Sequence, residues 1–107
     1  MTSIKHIIPG NKVIVFYKPA VYDGLILWPY NPDTIPWHPP SWSENGELIT
    51  NPFYETLPKN KAANAGDILE IIAITGSKNK HRLVEVKRND ETYFVFWYQI
   101  RFETKEI

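Results

Sequence analysis

The chain has 107 residues, no net formal charge, 43% hydrophobic residues and no cysteine. This length and composition predict one globular domain with a core of its own, rather than a disordered or membrane-spanning chain. The lack of cysteine excludes thiolate catalysis, zinc–thiolate sites and disulfide bonds, and it fits a reducing compartment. The first residues lack the apolar core of a secretory signal, and no apolar run reaches the roughly 20 residues that span a bilayer. We therefore predict a cytoplasmic protein with no membrane partner.

The first two predicted strands are short apolar stretches. Residues 12–17 follow the turn signal Pro9-Gly10-Asn11 and stop before Pro19, because proline cannot continue a central ladder. Residues 21–28 form a second apolar stretch. The Asp23-Gly24 pair within it is typical of either a hairpin turn or a bulge.

Residues 29–58 have a different character, since seven of the nine prolines lie there. This density excludes a helix or a central strand over residues 29–40, and it leaves room for a short strand at 47–50 after the Asn45-Gly46 turn. We interpret the segment as a long loop insertion whose aromatic side chains fold back onto the domain. These rings either cap one open end of the core or line a binding face.

The insertion also differs in charge from the rest of the chain. There is no Lys or Arg from residue 19 to 58, against five acidic residues, whereas residues 59–107 hold nine basic and seven acidic ones. Attraction between the two parts would explain this contrast, and so would a binding role. Tryptophan and tyrosine are enriched at protein interfaces. The candidate partner-binding residues are Trp28, Tyr30, Trp37, Trp42 and Tyr54.

Residues 66–102 are the most regular part of the chain and predict three consecutive antiparallel strands. These are residues 68–74, 81–87 and 92–98, joined by polar turns around 78–80 and 88–91. Before them, residues 59–65 read as one helical turn or a linker. After them, residues 100–102 are expected to close a barrel and 103–107 to form a frayed tail. The prediction is at least four strands and almost no helix.

The run Ala65-Gly66-Asp67-Ile68-Leu69-Glu70-Ile71-Ile72 resembles the SH3-like barrels, in which a Gly-Asp turn leads into an apolar strand. The resemblance takes residues 12–16 as the first strand, 21–64 as an enlarged first loop and 66–102 as the remaining strands. The paired tryptophans and the closing Pro-Ser-Asn-Tyr of signalling SH3 domains are absent, and only Tyr98 matches the closing tyrosine. The resemblance implies a single all-β domain over residues 1–107, a small antiparallel barrel of about five strands that binds protein or nucleic acid.

No constellation of catalytic or metal-binding residues is visible in the sequence. His6, His38 and His81 have no partner at metal-ligand spacing, the serines lack a nucleophile elbow, and there is no glycine-rich phosphate loop. We therefore expect no catalytic residue, no metal and no cofactor. An enzyme assembled from distant residues is the third function that we considered.

The basic residues of the predicted hairpin 78–88 support an alternative function. They could follow a phosphate backbone while Tyr93 or Trp97 offers a ring for stacking. The same residues also suit a solvated hairpin whose edge lysines discourage aggregation, and the zero net charge is not that of a typical nucleic-acid domain. The candidates are Lys78, Lys80, Arg82, Lys87 and Arg88.

The leading hypothesis is a non-enzymatic module that binds a protein partner through the acidic Pro/Trp-rich loop. Nucleic-acid binding by the basic hairpin is the alternative. Exposed strand edges leave both a monomer and a homodimer open.

Overall fold

The computed structural model describes residues 1–16, 25–34, 41–42, 48–49, 57–76 and 82–107, with the backbone alone at 41–42 and 48–49. Short 3-10 turns cover Ile4–His6 and Pro32–Thr34, and one helix, α1, covers Trp97–Glu103. The strands are β1 (Lys12–Val15), β2 (Ile26–Leu27), β3 (Ser41–Trp42), β4 (Leu48–Ile49), β5 (Lys61–Ala62), β6 (Ile68–Thr75), β7 (Leu83–Arg88), β8 (Glu91–Phe96) and β9 (Thr104–Glu106). The described fold is thus mostly β with one short helix.

Five strands form the main antiparallel sheet in the order β8-β7-β6-β1-β9. The β6-β7-β8 meander is the one that the sequence predicts, and β1 pairs with β6 so that Val13 lies opposite Leu69. Two smaller pairs, β2 with β5 and β3 with β4, complete the described strands. Within the described residues β8 and β9 lie at opposite edges of the main sheet, so this sheet is not closed into a barrel.

The β7–β8 connection is a tight two-residue turn. Asn89 and Asp90 both have positive φ angles, 51° and 67°. Such a turn matches the twist of the flanking strands, and Asn and Asp are among the residues that adopt it readily. The predicted turn at 88–91 is therefore confirmed.

The hydrophobic core lies on one face of the main sheet. It takes alternate side chains from β1, β6, β7 and β8, because successive residues of a strand point to opposite faces. Side chains from the N-terminal segment, the β2 region and α1 complete it. Its members, at most 5% exposed, are Ile7, Val13, Val15, Leu25, Leu27, Leu69, Ile71, Val84, Val86, Tyr93, Val95 and Ile100.

The C-terminal segment differs from the prediction. The last meander strand ends at Phe96 rather than at residue 98, α1 replaces the expected closing strand at 100–102, and the expected frayed tail contains β9. The helix places Trp97 and Ile100 on the core three residues apart, a spacing that a strand cannot provide. β9 forms because β1 offers it a free edge, with Thr104 opposite Val15.

The segment before the meander also differs from the prediction. Residues 59–65 were expected to be a helical turn or a linker, but Lys61–Ala62 forms β5 and pairs with β2. The second predicted strand is confirmed only at Ile26–Leu27, and Asp23-Gly24 lies outside the described residues. The short strand expected at 47–50 is confirmed as β4.

No helix within the described ranges is long and apolar enough to cross a bilayer.

Candidate functional site

Four aromatic side chains line up on the face of the main sheet that is opposite the core. Trp28 exchanges two backbone hydrogen bonds with Phe94, with N···O distances of 2.8 and 2.7 Å. The neighbouring side chains of Leu27 and Val95 point into the core. Because side chains alternate between faces, Trp28 and Phe96 project to the other side. We call Tyr30, Trp28, Phe96 and Tyr98 the aromatic row.

The rings of the row contact one another in sequence. Trp28 meets Tyr30 edge to face at 5.9 Å between ring centroids, and it meets Phe96 in the same way at 5.9 Å. Phe96 stacks on Tyr98 at 5.8 Å with an interplanar angle of 16°. These separations are those of favourable aromatic pairs. The row is therefore a continuous strip, and its last ring, Tyr98, is 53% exposed.

Trp28 combines packing with partial exposure. Leu83 lies opposite Phe96 in the β7–β8 pair, on the same face, and is fully buried although it is not a member of the main core. The indole Nε1 of Trp28 is buried, and no acceptor for it lies among the described residues. Trp28 thus covers part of the sheet, whereas Tyr98 offers its ring to solvent.

Helix α1 extends the exposed aromatic surface. Its buried residues are Gln99, Ile100 and Glu103, while Tyr98 and Phe102 are 53% and 45% exposed. Gln99 is anchored at β2, where its Oε1 accepts a hydrogen bond from the backbone N of Ile26 at 3.4 Å. Two aromatic residues four positions apart share one helix face. Two buried polar residues and two exposed rings reverse the usual pattern of a surface helix, so this helix face is a candidate binding surface.

The structure brings together two of the five predicted partner-binding residues. Trp28 and Tyr30 are neighbours in the row. Trp37 and Tyr54 lie outside the described residues, and Trp42 is described only by its backbone in β3. Sequence reasoning did not select Phe96, Tyr98 or Phe102. The available signals were the aromatic density of residues 93–98 and the four-residue spacing from Tyr98 to the next aromatic residue.

The basic residues of the alternative hypothesis do not form one exposed group within the described residues. Arg82 is exposed, whereas Lys78 and Lys80 lie outside the described residues. Lys87 Nζ lies 3.7 Å from Asp90 Oδ1. Any contact of this lysine with phosphate would compete with that ion pair.

Arg88, the fifth basic candidate, instead belongs to a charged cluster on the core side of the hairpin. Its Nη1 donates to Asp67 Oδ2 at 2.9 Å, and the guanidinium lies 5.3 Å from the centroid of the Tyr93 ring. The side chains of Arg88 and Asp67 are only 15% and 24% exposed. These contacts assign Arg88 a structural role in holding the turn before β6 against β7.

Tyr93 connects this cluster to a surface ion pair. Its hydroxyl donates to Glu91 Oε2, and Lys61 Nζ lies 3.6 Å from the same carboxylate oxygen. The hydrogen bond from Tyr93 and the charge of Lys61 lower the pKa of Glu91. The hydrogen bond to Tyr93 and the charge of Glu91 raise the pKa of Lys61. The cluster thus holds two positive side chains, Lys61 and Arg88, and two negative ones, Glu91 and Asp67.

Within the described ranges, no group of three or more His, Cys, Asp or Glu side chains is arranged to hold a metal ion. Neither protein-family models nor curated protein sequences nor solved structures give a significant match to this chain.

Proposed function

We propose that the protein is a cytoplasmic, non-enzymatic binding module that engages a protein partner through the aromatic row and the acidic Pro/Trp-rich residues 29–58. The observation that carries the proposal is the strip of contacting rings on the outer face of the sheet, which ends at the exposed Tyr98. Rigid aromatic side chains bury much area at small entropic cost, so a few of them dominate the energy of an interface.

We further propose that the domain has an SH3-like arrangement with an enlarged first loop. Two neighbouring sheet strands, β1 and β6, are separated along the chain by the segment that carries Trp28 and Tyr30. That segment leaves and returns at one point, because Gly66 N donates to Val15 O at 2.7 Å. The last strand, β9, then returns to β1 after the meander. A loop that starts and ends on a rigid sheet is a suitable carrier for a binding face.

The experiment compares the wild-type chain with a Tyr30→Ala, Tyr98→Ala double variant as immobilised baits in an extract of the native cell. A captured partner should bind the double variant about 30-fold more weakly or worse, as expected when interface anchors are removed. Ile68→Ala is the control, since Ile68 is also large, apolar and about half exposed but lies in β6, away from the row. The control should retain the partner.

Two further readouts decide the outcome. The variants should melt within a few degrees of the wild type, so that lost binding is not lost folding. Nuclease treatment of the extract should leave the complex intact. The proposal fails if the partner binds the double variant as well as it binds the wild type, or if nuclease removes it, which would instead favour the nucleic-acid alternative.

A further inference from the structure

The protein covers several of its own aromatic rings with cations. Lys105 Nζ lies 5.4 Å from the centroid of the Phe16 ring. Arg101 lies 5.7 Å from the Phe102 ring, and Arg88 and Lys61 both lie over Tyr93. A cation within about 6 Å of a ring centroid is attracted by the negative face of the ring. Cation–ring contact thus recurs at three rings of this protein, Phe16, Tyr93 and Phe102.

The aromatic row differs from these rings. Among the described residues, no cation lies over the ring of Trp28, Tyr30 or Tyr98, and their recorded ring contacts are with other aromatic side chains. An edge-to-face or stacked pair leaves part of each ring face open. A cation from another molecule could therefore occupy the row.

The two ends of the row differ in charge. Trp28 and Tyr30 belong to the segment without Lys or Arg, and Asp33 lies in the 3-10 turn directly after them. Near the other end, the carbonyl of Arg82 accepts a hydrogen bond from Trp97 N, and Arg101 lies in α1. The positive charges of Arg82 and Arg101 disfavour binding of a cation from another molecule near that end. The favourable place for a cation is the end formed by Trp28 and Tyr30.

We propose that this end of the row binds an arginine side chain on an extended segment of the protein partner. The inference rests on the proposed function and names the chemistry of its partner. Arginine fits better than lysine because its planar guanidinium stacks on a ring and is more weakly hydrated. The row has three steps of 5.8–5.9 Å between ring centroids, so an extended segment of about five residues is long enough to follow it.

The test is an NMR titration of the full chain with an acetylated and amidated heptapeptide of alternating arginine and glycine. Matched peptides carry lysine, or citrulline, the neutral analogue of arginine. Arginine should shift the signals of Trp28 and Tyr30, lysine should bind about two- to fivefold more weakly, and citrulline should give no shift. Tyr30→Ala should abolish the shift at Trp28 while leaving the melting temperature within a few degrees.

A charge-matched pair of variants tests the position. Asp33→Asn should weaken arginine-peptide binding about two- to threefold, and this difference should vanish at high salt. Asp90→Asn is the control, because it removes the same charge at the β7–β8 turn, and asparagine tolerates the positive φ found there. Equal effects of the two variants would show non-specific attraction and overturn the inference.

Three other results would also overturn it. The first is equal binding of the citrulline and arginine peptides. The second is the absence of any shift with about 10 mM arginine peptide, a concentration at which binding with a millimolar dissociation constant is detected. The third is displacement of the arginine peptide by oligothymidylate that itself shifts the signals of Trp28 and Tyr30. The proposed function is judged separately. If partner capture depends on Tyr30 and Tyr98 but the arginine peptide neither binds nor competes, the protein interface stands and only its arginine chemistry is wrong.

Discussion

Asp67 connects the turn before β6 to the end of β7, which is 21 residues later in the chain. Its Oδ2 accepts hydrogen bonds from Asn64 N at 2.8 Å and from Arg88 Nη1 at 2.9 Å. Both charged side chains are less than a quarter exposed, so removing one partner leaves the other poorly solvated. We expect Asp67→Ala to lower the free energy of unfolding by about 2–3 kcal/mol.

Urea denaturation measures this effect, and Asp90→Asn provides the control. Asp90 pairs with Lys87 at 3.7 Å, but its side chain is almost fully exposed. An exposed pair contributes little, so this variant should change stability by less than about 1 kcal/mol. Equal losses in the two variants would contradict the structural role of the Asp67 contact.

Tyr93 controls the protonation of Glu91. The hydrogen bond from its hydroxyl is the largest cause of the low pKa of Glu91, so Tyr93→Phe should move that pKa up toward the ordinary value. Because the pKa is lowered by folding, Glu91 stabilises the fold above its unfolded pKa, and this contribution is lost as pH falls through its folded pKa. NMR titration of the Glu91 carboxyl carbon checks the shift, with Tyr98→Phe as a control. An unchanged pKa in Tyr93→Phe would mean that the nearby cations Lys61 and Arg88, and not the hydrogen bond, lower it.

At the scale of elements, α1 decides which aromatic residues reach solvent. Ile100 is fully buried, whereas Phe102, two residues later on the same helix, is 45% exposed. Truncating a buried isoleucine removes packing and leaves a cavity, so Ile100→Ala should cost about 2–5 kcal/mol. Phe102→Ala should cost less than about 1 kcal/mol, as for other exposed positions.

Thermal and urea unfolding of the two variants test the orientation of the helix. Both lose side-chain volume within one short element, so helix propensity is affected similarly and burial is the main difference. If Phe102→Ala lost more unfolding free energy than Ile100→Ala, then the face of α1 that carries Phe102, and not the one that carries Ile100, would pack on the core. It would also remove Tyr98 and Phe102 from the exposed surface.

At the scale of the whole molecule, the two ends of the chain are joined. Thr2 Oγ1 and Thr104 Oγ1 lie 2.7 Å apart, and both residues are fully buried. Thr2 N donates to Arg101 O at 2.9 Å, and Arg101 Nη1 donates to Thr2 O at 3.0 Å. The N-terminal segment therefore holds α1 and β9 in place, and it does so through contacts that span nearly the whole sequence.

A double-mutant cycle of Thr2→Val and Thr104→Val measures this connection. Thr104→Val leaves the buried Thr2 hydroxyl without this acceptor and should cost about 1–2 kcal/mol, within the range for an unsatisfied polar group. Thr2→Val should cost about 1 kcal/mol, because Thr104 Oγ1 still donates to Ile100 O. The double variant should cost about 1 kcal/mol less than the sum, because the two hydroxyls contact each other. Thr2→Val combined with Thr92→Val, an exposed position in β8, should be additive. Additivity in the first pair would mean that the hydroxyl contact contributes nothing.

The sequence by itself determined the elements that depend on neighbours along the chain. Apolar alternation and β-branched residues predicted β1, β6, β7 and β8, and the turn residues Asn89 and Asp90 predicted their tightest connection. It also selected Trp28 and Tyr30 as surface candidates from the enrichment of such residues at interfaces.

Only the tertiary structure decided the elements whose partners are far away in sequence. β5 exists because β2 is beside it, and β9 exists because β1 has a free edge. The run after Phe96 has the composition of a strand, but a helix is needed to place both Trp97 and Ile100 on the core. The same helix directs Tyr98 outward, where its ring stacks on Phe96. Local propensity is a weak preference that such non-local packing overrides. For the same reason the aromatic row could not be predicted from the sequence: its rings meet only because β2, β8 and α1 pack side by side.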